Sequence, residues 1–223
     1  MRAGYSGAGP ASVEGQSGQT ARVVDYVDEA WQEIQRSRPN WKFMRRRFSG
    51  QTQPGINTVA LPDSKRVAGD LIRSVDENSW FTRAPSDTTG GVLRYVDSDQ
   101  RRWLEENEGV TTGRPAYFWE TATDIRVSPT PDRAYQISGD YYVTAQSFAS
   151  SDSAANKTRS LGQRSPDMPE QYHMAIVWLA VREIGGFEGD GNVFNLGDAN
   201  YRKIFNQMLR TETPSIGFGP PLA

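Results

Sequence analysis

The chain has 223 residues, enough for one large domain or two small ones, with 25 Lys+Arg against 27 Asp+Glu and a formal net charge of -2. That balance excludes a whole-surface basic footprint for nucleic acid and leaves room only for a local patch. The absence of cysteine removes disulfides, thiolate metal sites and Cys nucleophiles.

The first residues, "MRAGYSGAGPASVEGQSGQ", hold five glycines and only Val13 among the large aliphatics, so residues 1–19 read as a flexible leader. They lack the apolar core of a secretory signal, and no apolar run approaches the roughly 18 residues that span a bilayer. The expectation is a protein made in the cytoplasm with no membrane partner. With 36% hydrophobic residues but six Trp, nine Tyr and nine Phe, much of the burial must rest on aromatics, which suit interfaces.

Val24, Val27, Trp31 and Ile34 recur at spacings of three or four with acidic residues between them, which predicts an amphipathic helix at about 20–37 that Pro39 stops. A β portion follows at about 42–146. "NWKFMRRRFSG", "INTVALP", "DLIRSVDENSWF" and "GVLRYV" are strand candidates. "DSDQRRWLEEN" sets Asp97 three residues before Gln100, a capping spacing, and predicts a short helix at about 98–107. "AYFWE", "DIRVSP" and "AYQISGDYYVTAQ", joined by short turns, predict a three-stranded antiparallel meander over 116–146.

"SFASSDSAANKTRSLGQRSP" is a long polar loop. A helix at about 169–185 is predicted to close at Gly185 and Gly186. Its apolar stripe includes Tyr172, Ile176 and Leu179, and the run 175–181 is apolar almost all round, as expected in a core or against another subunit. A last helix at about 197–210 carries Tyr201, Ile204, Phe205 and Met208 on one face. Residues 211–223 form an extended arm, because Pro214, Pro220 and Pro221 forbid regular structure. The fold class is thus α+β: a helical bundle of the N-terminal and two C-terminal helices, an antiparallel β meander, and extended termini. The core is expected at Val24, Val27, Trp31, Ile34, Ile176, Leu179, Ile204, Phe205 and Met208.

Candidate chemistry is sparse. His173 is the one histidine; a metal site would need carboxylates to complete it, and "FEGDGN" lacks calcium-loop spacing. A general base would need a nucleophile and an orienting group, and no Gly-x-Ser-x-Gly elbow is present. His173 therefore reads as a first-turn helix residue. "LEENE" (Glu105, Glu106, Glu108) and "VDYVDEAWQE" read as solvated helix faces rather than paired catalytic carboxyls. No phosphate-cradling glycine motif occurs, and no catalytic, cofactor or metal site is expected. Arg45, Arg46 and Arg47 lie among Trp41, Phe43, Met44 and Phe48. They fit either a subunit interface or a nucleic-acid backbone. In "TTGRPAYFWE", three consecutive aromatics put large side chains on both faces of one strand.

The succession "VDEAWQEIQRSRPNWKFM", "TGRPAYFW", "IRVSPTPDRAYQISGDYY" and "MPEQYHMAIVWLAVREIGGFE" resembles the head-to-tail adaptor (connector) proteins of tailed bacteriophages. The likeness spans most of 20–210; the glycine-rich leader and residues 65–91 depart from the pattern. The resemblance implies a structural virion protein of the neck, not an enzyme and without cofactors. It implies a homo-oligomeric, twelvefold ring on the portal protein, joined to a tail or next neck protein, with genome DNA passing through the lumen. Ile216, Phe218 and Leu222, on a chain stiffened by Pro220 and Pro221, would then be anchors of a portal-docking arm. Two alternatives remain at this stage: a carboxylate-dependent, carbohydrate-active virion enzyme, and a nucleic-acid-binding module centred on Arg45, Arg46 and Arg47.

Overall fold

The computed structural model describes residues 17–60, 72–85, 90–107, 111–121, 124–148 and 166–213. In chain order they form α1 (Gly18–Arg36), β1 (Arg45–Gln51), β2 (Thr58–Ala60), β3 (Ile72–Val75), β4 (Phe81–Arg83), β5 (Gly91–Val92), β6 (Arg94–Tyr95), α2 (Ser98–Glu106), β7 (Thr112–Gly113), β8 (Tyr117–Glu120), β9 (Asp124–Ser128), β10 (Thr130–Pro131), β11 (Gln136–Val143), α3 (His173–Glu188) and α4 (Gly191–Thr211). Single 3-10 turns at Lys42–Met44 and Glu170–Tyr172 precede β1 and α3. The architecture is α+β, and the chain divides into two compact units: Met1–Met44 with Ala145–Ala223, and Arg45–Thr144.

The first unit is the helical bundle. α1 buries Ala30, Trp31, Ile34 and Gln35, and its outer face stays polar. Beyond Pro39 the chain turns back, and the buried indole of Trp41 donates from Nε1 to the Ile34 carbonyl at 2.8 Å. That bond satisfies an end-of-helix carbonyl that α1 itself leaves unpaired. Six rings then run through the unit in contact: Phe148 on Trp31, Trp31 on Phe43, Phe43 on Trp41, Trp41 edge-on to Phe205, and Phe205 on Tyr201, with centroids 5.2–6.0 Å apart. Each such pair contributes about 0.5–1.5 kcal/mol beyond its buried area. This is where the high aromatic content is used.

α3 packs against both α1 and α4. Arg182 on α3 ties the three together: it meets Glu33 of α1 at 3.4 Å, Asp198 of α4 at 4.0 Å, its neighbour Glu183 at 2.6 Å, and lies 5.5 Å from the Tyr201 ring centre. The α3–α4 pair is close because glycines face backbone across it. A Cβ on Gly185 would stand 2.4 Å from the Phe194 nitrogen, and one on Gly197 2.6 Å from the Arg182 nitrogen.

The second unit is mostly β. One sheet runs β1-β11-β4-β5, with β3 also on β11; another runs β2-β9-β8-β6; β7 and β10 form a short parallel pair. β1 pairs antiparallel with β11 along its whole length, Arg45 opposite Tyr142 through Gln51 opposite Gln136. Phe48, Trp80 and Phe118 stack at 5.5 and 4.8 Å, so that the ring of Trp80 joins the two larger sheets. The chain approaches Trp80 closely at Gly139, where a Cβ would sit 2.1 Å from the indole.

Five expectations change. The strands of 116–146 do not form one meander: β8 and β9 are a hairpin, but β11 leaves for the other sheet, where β1 takes one edge and β3 and β4 the other. "GVLRYV" is not one strand; the fully buried Leu93 carries the chain from β5 in one sheet to β6 in the other. "DLIRSVDENSWF" splits likewise into β3 and β4 around the turn at 76–79. Finally, α3 does not close at Gly185 and Gly186 but runs to Glu188 and ends on Gly189, which takes the left-handed φ of 72°. α4 begins at Gly191 rather than near 197, because Asp190 accepts bonds from the Asn192 and Val193 nitrogens and caps it.

Candidate assembly surfaces

Among the described residues, several that suggest chemistry have structural partners, while Glu108 lies outside the described residues. His173 opens α3 with its Nε2 3.0 Å from the Met168 carbonyl oxygen. Asp97 caps α2 by accepting from the Gln100 nitrogen at 2.9 Å. On α2, Glu105 and Glu106 meet Arg101 and Arg102, one helical turn back, at 3.0 and 3.2 Å. The Arg101 hydrogen bond holds the Glu105 carboxyl below the usual glutamate range, the opposite of what a general acid needs. Asp28 on α1 accepts from Gln32, from the Ser147 hydroxyl at 2.6 Å and from the Phe148 nitrogen. Gln35 grips the Gln146 backbone in both directions, at 2.7 and 2.9 Å. These two side chains hold the stretch after Thr144 onto α1.

Among the described residues no group of three or more His, Cys, Asp or Glu could hold a metal ion. The β unit has an open groove of about 580 Å³ lined by Ser49, Gly50, Gln51, Arg83, Ala84, Pro85 and Gln136. Its described lining holds a hydroxyl, two carboxamides and a guanidinium but no carboxylate, so it does not supply the facing carboxyls of a glycosidase.

The arginine run is divided by its strand. Arg45 points its guanidinium at Asp76, 3.0 Å, and Asp140, 2.6 Å. Arg46 is half-buried, and Arg47 is exposed on the same face as Arg45, opposite Asp140 in register. β1 is at the end of its sheet, so this run lies on an edge strand, where charged side chains discourage pairing with other chains. Of the expected core, Trp31, Ile34, Ile176, Leu179 and Met208 are buried, whereas Val24, Val27, Ile204 and Phe205 are half-buried. Ile216, Phe218, Pro220, Pro221 and Leu222 lie outside the described residues, as do 1–16 of the leader and most of the loop after Phe148.

What the surface offers instead is large apolar side chains. Met174 and Val177 on α3 are about half exposed, at 47 and 43%, and Phe187, Phe194 and Leu196 at the α3–α4 turn at 68, 40 and 46%. Trp103 stands on α2, a helix with no buried residue, 64% exposed. Phe81 and Val92 form an exposed cross-strand pair on β4 and β5. Sequence reading did not single these out. The apolar run of 175–181 hinted at the α3 face, and a lone Phe in the acidic, glycine-rich "GGFEGDG" was the available signal for the turn.

Exposed aromatics and aliphatics around ordered elements, with His173, Asp28, Asp97, Glu105 and Glu106 engaged in internal bonds, characterise a protein that joins other proteins. A family model described as SU10 adaptor protein matches residues 10–217. The chain belongs to that family, a phage head-to-tail adaptor family, and is a structural phage adaptor. No curated protein matches it. No helix among the described residues is long and apolar enough to cross a membrane.

Proposed function

We propose that the protein forms a homo-oligomeric ring in the virion neck. The ring docks on the portal protein, carries the tail or next neck protein, and surrounds the passage of genome DNA. The observation that carries this reading is the family match over 10–217, almost the whole chain. In this reading the protein acts by assembly, not as an enzyme, and uses no cofactor. It is made in the host cytoplasm and ends in the neck. Residues 1–19 are a leader, 20–210 the adaptor body and 211–223 the portal-docking arm.

Ring closure needs two different surfaces per subunit, one for each neighbour, and the exposed Met174 and Val177 on α3 suit such a contact. Arg47 on the β1 edge suits a neighbour's carboxylate, while Arg45 is already occupied by Asp76 and Asp140. The arm Ile216, Phe218, Pro220, Pro221 and Leu222 docks because its prolines lower the entropy lost on ordering. The test is a truncation after Thr213, which spares the Glu212 carbonyl that accepts from the Lys42 nitrogen at 2.9 Å. The shortened chain should keep its circular dichroism spectrum and cease to co-sediment with purified portal. Co-sedimentation at the full-length level would refute the arm.

A further inference from the structure

The α3–α4 turn presents its apolar side chains on a frame that is already fixed. Gly189 takes the left-handed conformation, the Asp190 nitrogen donates to the Gly185 carbonyl at 3.0 Å, and the Asp190 carboxylate caps α4. Close backbone contact at Gly185 and Gly197 locks the two helices together beneath it. On this frame Phe187 is 68% exposed, tilted against Tyr26 of α1 with ring centres 6.3 Å apart. Phe194 lies over Gly186, and Leu196 follows on α4. An aromatic held this far into water without the freedom to fold away is typical of an anchor, because little entropy is lost when a partner covers it.

The charges around the anchor have a sign. Glu188 and Asp190 flank Phe187 along the chain, and Asp25 and Glu29 are exposed on α1. Arg22 sits 5.9 Å over the Phe187 ring itself. This acidic rim repels a polyanion such as DNA and fits a protein surface with an apolar socket edged by Lys and Arg. Position narrows the partner further. α4 has 21 residues, about 30 Å of helix. The turn is at one end of it, and the arm assigned to the portal leaves from the other.

We propose that the α3–α4 turn is the docking tip for the tail-side protein, with Phe187 as its central anchor and a cationic, apolar-socketed surface as its counterpart. This rests on the adaptor reading, since it takes the arm end as the portal end. The experiment uses full-length chain in particles. Virions are assembled with Phe187→Ser, and separately with Asp25→Lys and Glu29→Lys together, in place of the wild-type protein. Adaptor on the portal and tails on the neck are scored by negative-stain microscopy. Both variants should leave the adaptor on the portal and lower the fraction of tailed particles, Phe187→Ser by about tenfold or more. Tailing at the wild-type level overturns the proposal. So does loss of adaptor from the portal or of its self-association, which makes the portal or a second copy the occupant. Absence of the wild-type chain from the portal would instead refute the adaptor reading itself, and the proposal with it.

Discussion

Gly185 and Gly197 set the spacing of α3 and α4, and an alanine at either position places a methyl where backbone already stands. The added Cβ would lie 2.4 Å from the Phe194 nitrogen or 2.6 Å from the Arg182 nitrogen, whereas ordinary contact begins at 3.4 Å. Backbone cannot swing aside as a side chain can, so the helices must part by roughly 1 Å, at an overpacking cost of about 1–3 kcal/mol. Alanine returns up to about 1 kcal/mol through its better helix propensity. The expected net effect is a loss of about 1–2 kcal/mol for Gly185→Ala and for Gly197→Ala. Gly186, one residue along, is the control. Its Cβ would meet only the Phe194 ring at 3.6 Å, ordinary contact, so Gly186→Ala should stabilise by about 0.5–1 kcal/mol. Urea unfolding followed by far-ultraviolet circular dichroism, which the long helices dominate, measures all three. A midpoint for Gly185→Ala and Gly197→Ala at or above wild type would refute the close-packing argument.

Arg45→Ala should destabilise by no more than about 1 kcal/mol, because the Arg45 side chain is 43% exposed and solvent screens its pairs with Asp76 and Asp140. It should leave the salt dependence of any duplex DNA binding unchanged by fluorescence anisotropy; a slope lower by about one would show that Arg45 contacts phosphate after all. Burial, reinforced by Glu33, pushes the Tyr201 phenol up to about 12 from the ordinary 10.0. In the unfolded chain this phenol ionises near 10, so between about 10 and 12 only the unfolded state releases the proton, and stability falls as pH rises. Wild type should therefore lose stability relative to Tyr201→Phe across that window in urea titrations, and parallel curves would contradict the buried, neutral phenol.

Local features were legible and distant pairings were not. The three- and four-residue spacing of Val24, Val27, Trp31 and Ile34 suffices to place α1, and Asp97 before Gln100 marks the start of α2. The alternation in "AYQISGDYYV" marks a strand, but alternation says which face is buried, not which strand lies alongside. β11 and its partner β1 are separated by about 90 residues, and nothing local in either identifies the other. Gly185 and Gly186 read as a helix end because glycine commonly ends helices; it equally permits helices to touch, and only the facing Phe194 backbone decides between them. The arginine run had the same ambiguity. Its composition allowed phosphate or carboxylate partners, and Asp76 and Asp140 reach Arg45 from parts of the chain far from it in sequence. The exposed Phe187 had the weakest signal, since a single aromatic in a turn reveals neither its exposure nor the fixed frame beneath it.

Electron microscopy of purified portal mixed with an excess of the full-length chain tests assembly on the portal without an intermediary. Class averages should show an added ring of density stacked coaxially on one end of the portal, lost on truncation after Thr213. A portal that stays bare at saturating concentrations of the chain would contradict it.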